Sequence, residues 1–192
     1  MSVNPRTTAF AAGTAVVLAM HLVIARVDVK VEFDKTFDFK PVKTWAWTEQ
    51  PGEVKMARTQ DDDPEAARKR AEPVILEAVA TEIGRRGLTR ATSDPDLFVT
   101  YYLLLTTSMS AQTLGQFLPA TAAWGLPPFA GATQSLKMMN RGSLVLDLSA
   151  KGTVVWRGVA QAEIKMDADD KRREALVREA VRDLLRRYPP RP

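Results

Sequence analysis

The sequence predicts an α+β fold, an antiparallel sheet with two helices packed on one face, preceded by an N-terminal hydrophobic helix. Three observations predict it: period-two alternation in several segments, two amphipathic helical stretches lying between or after them, and a charge-free run near the amino terminus. The order is strand, strand, helix, strand, long connection, strand, strand, helix. Sequential strands in that order suit hairpins and a helix layer.

The charge-free run comes first in the chain. Thr7 to Ala25 is nineteen residues without a formal charge, after a short basic lead ending at Arg6. A helix of that length spans roughly 28 Å, close to the hydrocarbon thickness of a bilayer, and is also compatible with a long signal-peptide core. Residues 1–25 therefore read as a signal anchor or signal peptide, and residues 26–192 as one domain, since their length suits a single core.

Val27, Val29, Val31 and Phe33 alternate with Asp28, Lys30, Glu32 and Asp34, the pattern of a half-buried strand. After the turn around Asp38, Lys43 to Thr48 forms a second short strand with Trp45 and Trp47 on one side, as packing residues. Asp61-Asp62-Asp63-Pro64 reads as a helix start, with an Asp cap and proline in the first turn. No EF-hand spacing follows these acids, so calcium is disfavoured. The helix runs through Ile75, Val79 and Ile83 to Arg86, ends at Gly87, and is expected to kink or restart at Pro73. Leu97 to Thr107 reads as a central strand with apolar residues on both faces. Leu144, Leu146 and Leu148 lead to a Lys151-Gly152 turn and a return strand with Val154, Trp156, Gly158, Ala160, Ala162 and Ile164 on one face, a hairpin. Its other face, with Arg157, Gln161 and Glu163, is expected to meet water or a partner. The last helix carries Leu176, Val177, Ala180, Val181, Leu184 and Tyr188 on one stripe and stops at Pro189-Pro190.

Composition excludes much chemistry. The chain has no cysteine, and its single histidine is His21, inside the apolar leader. Disulfides, thiolate nucleophiles, histidine general bases and histidine-bound zinc are thereby absent from the domain, and no metal or cofactor site is expected. The net charge is +4, and the arginines of the last helix are interleaved with Asp169, Asp170, Glu174, Glu179 and Asp183. That pattern is a solvated helix face, so nucleic acid is not an expected partner. Asp34, Asp38, Asp96 and Asp147 are the carboxylates available for acid–base work, but strand ends and turns are where such acids usually cap. Trp156 with Arg157 could offer a peptidoglycan or lipid surface, although Trp156 falls on the apolar set.

Between Asp96 and Lys137 lie forty consecutive uncharged residues. The strand accounts for the first part; residues 108–136 form a long connection carrying Leu114, Phe117, Leu118, Trp124, Leu126, Pro127, Pro128 and Phe129. Long connections are usually functional or disordered, and disorder normally goes with charged, polar composition. The segment reads either as a loop folded on its own domain or as a contact surface for a membrane interface or partner, with Phe117, Trp124, Leu126, Pro127, Pro128 and Phe129 as the contact residues.

Several landmarks together resemble the DUF4136 family, bacterial envelope domains of unknown function that are typically lipoproteins. They are Val31-Glu32-Phe33-Asp34, Phe37-Asp38-Phe39, Lys43-Thr44-Trp45-Ala46-Trp47, Arg86-Gly87-Leu88, Asp94-Pro95-Asp96-Leu97-Phe98-Val99 with Tyr101, Gly142-Ser143-Leu144-Val145-Leu146-Asp147, Val155-Trp156-Arg157-Gly158 and Tyr188-Pro189-Pro190. The resemblance implies a domain on the outer side of the inner membrane or in the periplasm, with no catalytic residues to carry over. Family members usually place an acylated cysteine at the end of the leader; here Arg26 stands in that place after Val23-Ile24-Ala25, so lipidation there is chemically impossible. The leader is then either cleaved near Ala25 or retained as the anchor. The expected function is that of a non-enzymatic, membrane-tethered interaction or accessory subunit of a larger membrane complex, held in the membrane through residues 7–25. The alternative is a periplasmic small-ligand, lipid or cell-wall binding protein, with a carboxylate hydrolase less favoured.

Overall fold

A computed structural model describes residues 27–56, 63–105, 112–113, 137–138, 141–163 and 168–190. The strands are β1 (Asp28–Phe33), β2 (Thr44–Met56), β3 (Thr89–Arg90), β4 (Leu97–Leu105), β5 (Gln112–Thr113), β6 (Lys137–Met138), β7 (Arg141–Ala150) and β8 (Thr153–Glu163), with helices α1 (Pro64–Arg85) and α2 (Asp170–Leu185). Six strands form one sheet in the order β1-β8-β7-β4-β2-β3, and β5 pairs with β6 in a separate two-stranded ladder. The expected leader helix over Thr7–Ala25 lies outside the described residues.

The sheet is mixed, and this corrects the antiparallel expectation. β1–β8, β8–β7 and β7–β4 are antiparallel, whereas β2 runs parallel to both β4 and β3. The reason is α1. A 22-residue helix between β2 and β4 carries the chain back along the sheet, so the next strand enters in the same direction as the last. β1 closes the far side by pairing Phe33 with Trp156 and Val31 with Gly158.

Helix α1 starts as its sequence dictates. Asp63 is the N-cap, accepting from the amides of Glu65 and Ala66 at 3.0 Å, and Pro64 needs no donor in the first turn. The helix continues through Pro73 as one element to Arg85, and Gly87 then adopts φ +85°, the left-handed conformation that ends helices. Asp169 caps α2 by accepting from the Arg172 amide at 2.7 Å. α2 ends at Leu185, before the two prolines, and an Arg178–Glu77 bridge of 2.8 Å ties the two helices.

One apolar core joins both helices to one sheet face. Ile75, Val79 and Ile83 of α1 and Val181, Leu184 and Leu185 of α2 cluster with Leu97, Val99, Tyr101, Leu103, Leu144, Leu146, Leu148, Trp156 and Ala160. The ladder register explains this: Val99 faces Leu148, Tyr101 faces Leu146, and Leu103 faces Leu144, which in turn faces Ala160. At one end of the core, Tyr188 meets Trp156 and Phe39 edge-on at 6.0 and 5.9 Å, and Phe39 meets Phe37 and Phe33. Burial pushes the Tyr188 hydroxyl up to about 12, assisted by the charge of Asp96.

Strand β2 extends beyond the expected Lys43–Thr48, through a register shift between Trp47 and Gly52 to Met56. Gly52 is required by close approach, because a Cβ there would lie 2.0 Å from the Tyr101 ring. Asp96, at the head of β4, anchors the head of β2: its carboxylate accepts from the amides of Lys43 and Thr44 at 2.9 and 2.8 Å and from the Thr44 hydroxyl at 2.8 Å.

Two outcomes follow. Gly52→Ala forces the Tyr101 ring to move and should lower unfolding stability by about 1–3 kcal/mol, the usual cost of overpacking, in a urea titration. The Lys43 amide, then the Thr44 hydroxyl and amide, hold the exposed Asp96 carboxyl below its ordinary 3.8. A depressed carboxyl stabilises the fold above the unfolded value and loses that contribution as pH falls through the folded one. Asp96→Ala should therefore unfold more readily at neutral pH, and its deficit relative to the parent should narrow as the pH drops below about 3.8. Circular dichroism melts across that range read both effects.

Candidate functional site

Among the described residues, two places on the sheet gather polar or aromatic groups into a local arrangement. The first is the face of the β7–β8 hairpin turned away from the helices. There Ser143 faces Gln161, Val145 faces Val159, and Asp147 faces Arg157 directly across the ladder. All six side chains are buried, with Arg157 only 1 % exposed and Asp147 3 %. No described helix packs on this face. The expectation that Arg157 and Gln161 meet water or a partner is thus corrected: Arg157 Nε donates to Asp147 Oδ1 at 2.6 Å and its Nη2 donates to Oδ2, while Gln161 Nε2 donates to Ser143 Oγ at 3.0 Å. Glu163, at the end of the strand, is exposed as expected.

The physical reason is pairing. A lone buried guanidinium would be prohibitively costly, but a two-pronged carboxylate directly opposite satisfies it and lets the strand be buried on both faces. Burial pushes the Asp147 carboxyl up while Arg157 pulls it down. Tyr102 lies within reach of both charges, and burial raises its hydroxyl.

The other three acids behave as turn and cap residues, as the sequence suggested. Asp34 accepts from the Thr36 amide and hydroxyl at 2.8 and 2.7 Å, and the hydroxyl foremost holds its carboxyl below the ordinary range. Asp38 accepts from the Lys40 amide at 3.0 Å. Asp96 binds β2 as described. Asp34 and Asp38 serve the turn after β1, Asp96 the head of β4 and Asp147 the middle of β7, and the structure does not bring the four into one cleft. Among the described residues no group of three His, Cys, Asp or Glu side chains could hold a metal ion.

The second place is the edge of the sheet beside β2, which among the described residues is open beyond β3. The Lys43 and Trp45 carbonyls accept from the Thr89 and Ala91 amides at 2.8 Å, and the β3 ladder ends at the Trp45–Arg90 pair. Beyond that stop lies a shallow groove of about 530 Å³ lined by Ala46, Trp47, Thr48, Arg90, Ala91 and Thr92. The Arg90 guanidinium lies 6.0 Å from the centre of the Trp45 ring, and Trp45 meets Trp47 edge-on at 5.5 Å. Trp45 is buried, as its packing role predicts, whereas Trp47 is half-buried and reaches the groove. Phe98, directly across the ladder from Ala46, is the exposed large apolar side chain among the described residues. Sequence reasoning missed this groove. Arg90 sits on a two-residue strand that no periodicity announces, and its neighbours come from another part of the chain.

Trp156 is fully buried, as expected for its apolar face, which removes it from any cell-wall or lipid surface. Phe117, Trp124, Leu126, Pro127, Pro128 and Phe129 all lie outside the described residues. Among the described residues no helix is long and apolar enough to cross a membrane.

The Asp147–Arg157 pair makes a measurable demand. Arg157→Met strands a buried carboxylate and should cost about 3–5 kcal/mol, whereas Asp147→Leu combined with Arg157→Met should recover most of that loss. Guanidinium unfolding of the two variants and the parent decides it.

The chain is similar to a PDZ domain protein from Parabacteroides distasonis, at 16 % identity and a TM-score of 0.52, covering 87 % of this chain and 37 % of that one. It thus spans little more than a third of that protein's length. It is similar also to a DUF4136 family protein from Bacteroides thetaiotaomicron, at 17 % identity and a TM-score of 0.49, covering 85 % of this chain and 96 % of that one. A further similarity, at 8 % identity and a TM-score of 0.41, is to the PelC dodecamer from Paraburkholderia phytofirmans, covering 83 % of this chain and 95 % of that one. No curated protein matches the sequence. The family described as "Domain of unknown function (DUF4136)" matches residues 29–190, nearly the whole domain with the sheet and both helices, and the chain belongs to that family.

Proposed function

We propose that this chain is a membrane-tethered domain of the bacterial cell envelope that works by contact, as an accessory subunit of a larger membrane assembly, and turns over no substrate. In this reading Thr7–Ala25 forms the hydrophobic anchor helix in the inner membrane, the domain stands on the periplasmic side, and cleavage near Ala25 is the alternative fate of the leader.

One observation carries the reading. Leu105 and Gly142 are partners across β4 and β7, so the chain leaves the sheet and re-enters it at one place. Antiparallel neighbours need only a two- to five-residue hairpin. Here 36 residues intervene, and they include an uncharged stretch with Phe117, Trp124 and Phe129. Connectivity does not require such a segment, and its aromatic, charge-free composition suits an interface where charge would be costly to bury. The separate structural engagement of Asp34, Asp38, Asp96 and Asp147 also supports contact over catalysis.

The test is fractionation of cells expressing the native chain. It should sediment with membranes, resist high-salt washing, and co-migrate with other membrane proteins after mild detergent extraction. Replacing Trp124 and Phe129 with Ser should abolish the co-migration while leaving membrane sedimentation intact. Recovery of the native chain alone from the aqueous fraction overturns the proposal.

A further inference from the structure

We infer that the groove where β3 stops is a binding site for an extended acidic peptide, which adds to the open edge of β2 with its carboxylates against Arg90. The inference rests on the reading of the chain as a contact domain but names a different surface from residues 117–129.

Four features converge at this groove. The first is backbone. The carbonyls of Lys43 and Trp45 point to the β3 side, where Thr89 and Ala91 donate to them. The two-residue period of a strand turns the Trp47 N–H and C=O the same way, and β3 has already ended at Arg90. A visiting strand can continue the ladder there, which is how peptides commonly add to sheet edges.

The second is charge. Arg90 is the charged side chain among the residues lining the groove, and it is exposed. Its placement beside the Trp45 ring presents a guanidinium against an aromatic surface, leaving its donors for a carboxylate. The third is alternation. Trp45 and Trp47 lie on one face of β2, and Ala46 on the other, next to the exposed Phe98. A strand beside β2 would direct alternate side chains to these two faces. Acidic residues would meet Arg90 and Trp47, and apolar ones would pass over the small Ala46 to Phe98. The fourth is length. The register shift after Trp47, with Pro51 in the same stretch, ends the regular edge, so the ladder is short and the side-chain contacts must supply the selectivity.

The full-length chain in mild detergent is titrated with a blocked hexapeptide of alternating Glu and Val, and with its Lys–Val counterpart, following tryptophan fluorescence and amide exchange. The Glu–Val peptide should bind, weaken with added salt, and slow exchange of the Trp47 amide. Arg90→Glu, whose fold is checked by circular dichroism, should weaken that peptide roughly tenfold, on the scale of one charge-assisted hydrogen bond, and shift preference to the Lys–Val peptide. The inference is overturned if neither peptide binds, if both bind the parent equally, if the Trp47 amide stays unprotected at saturation, or if trigalacturonate binds more tightly than the Glu–Val peptide. Membrane co-migration separates the two readings. Loss of peptide binding in a chain that still co-migrates removes the groove alone, and an aqueous, solitary chain removes the contact-domain reading as well.

Discussion

The β7–β8 hairpin is buried on both of its faces, and that condition shapes the rest of the domain. On the helix side its residues Leu144, Leu146, Leu148, Trp156 and Ala160 form the floor of the core. On the other side Ser143, Val145, Asp147, Arg157, Val159 and Gln161 are equally withdrawn from water. On that outer face the charged and amide side chains must be paired, because an unpaired charge or amide there costs several kcal/mol. Asp147 against Arg157 and Ser143 against Gln161 meet that demand by direct opposition across the ladder. Each polar residue of the strip has its partner in the one register that also puts the leucines on the helix face. A slip of one residue would reverse both faces at once.

The neighbouring strands inherit their positions from this hairpin. β1 docks along β8 and β4 along β7, each matching its apolar alternation to the helix face. Helix α1 then sets the remaining topology by returning the chain parallel, so that β2 lies beside β4 and its far edge is met, among the described residues, by the two-residue β3. The short β3 pairing on that edge is therefore a consequence of the crossover. The same geometry that completes the core leaves Arg90 beside the half-buried Trp47 along the groove, and Phe98 exposed on the other face of the sheet.

The acids illustrate how one residue type serves different ends within a fold. Asp34 and Asp38 tighten the turn after β1, Asp63 and Asp169 cap helices, and Asp96 staples β2 to β4 across a separation of more than fifty residues. In each case a carboxylate at the surface accepts amides that would otherwise lack a partner. Asp147, unlike these aspartates, is taken into the interior, and there a guanidinium rather than an amide answers it. The aromatic residues divide similarly. Phe33, Phe37, Phe39, Trp156 and Tyr188, far apart in the chain, meet at one end of the core, and the half-buried Trp47 remains at the edge.

What the sequence determined by itself was local. Alternation placed β1, β7 and β8, a run apolar on both faces placed β4, an Asp-Pro step and a glycine bounded α1, and the Leu144–Leu148 pattern chose the hairpin's core face, because these signals are carried by neighbours a few residues apart. The absence of cysteine and the single histidine, His21, are likewise read from the sequence directly. Only the tertiary structure decided the parallel course of β2, the burial of Arg157 and Gln161, and the groove at Arg90. Strand direction depends on where a crossover helix lands, and the exposure of a polar residue depends on what lies over and across from it. Arg157 reads in sequence as a solvent-facing cation; it is interior because Asp147, ten residues earlier, arrives directly opposite when the hairpin closes.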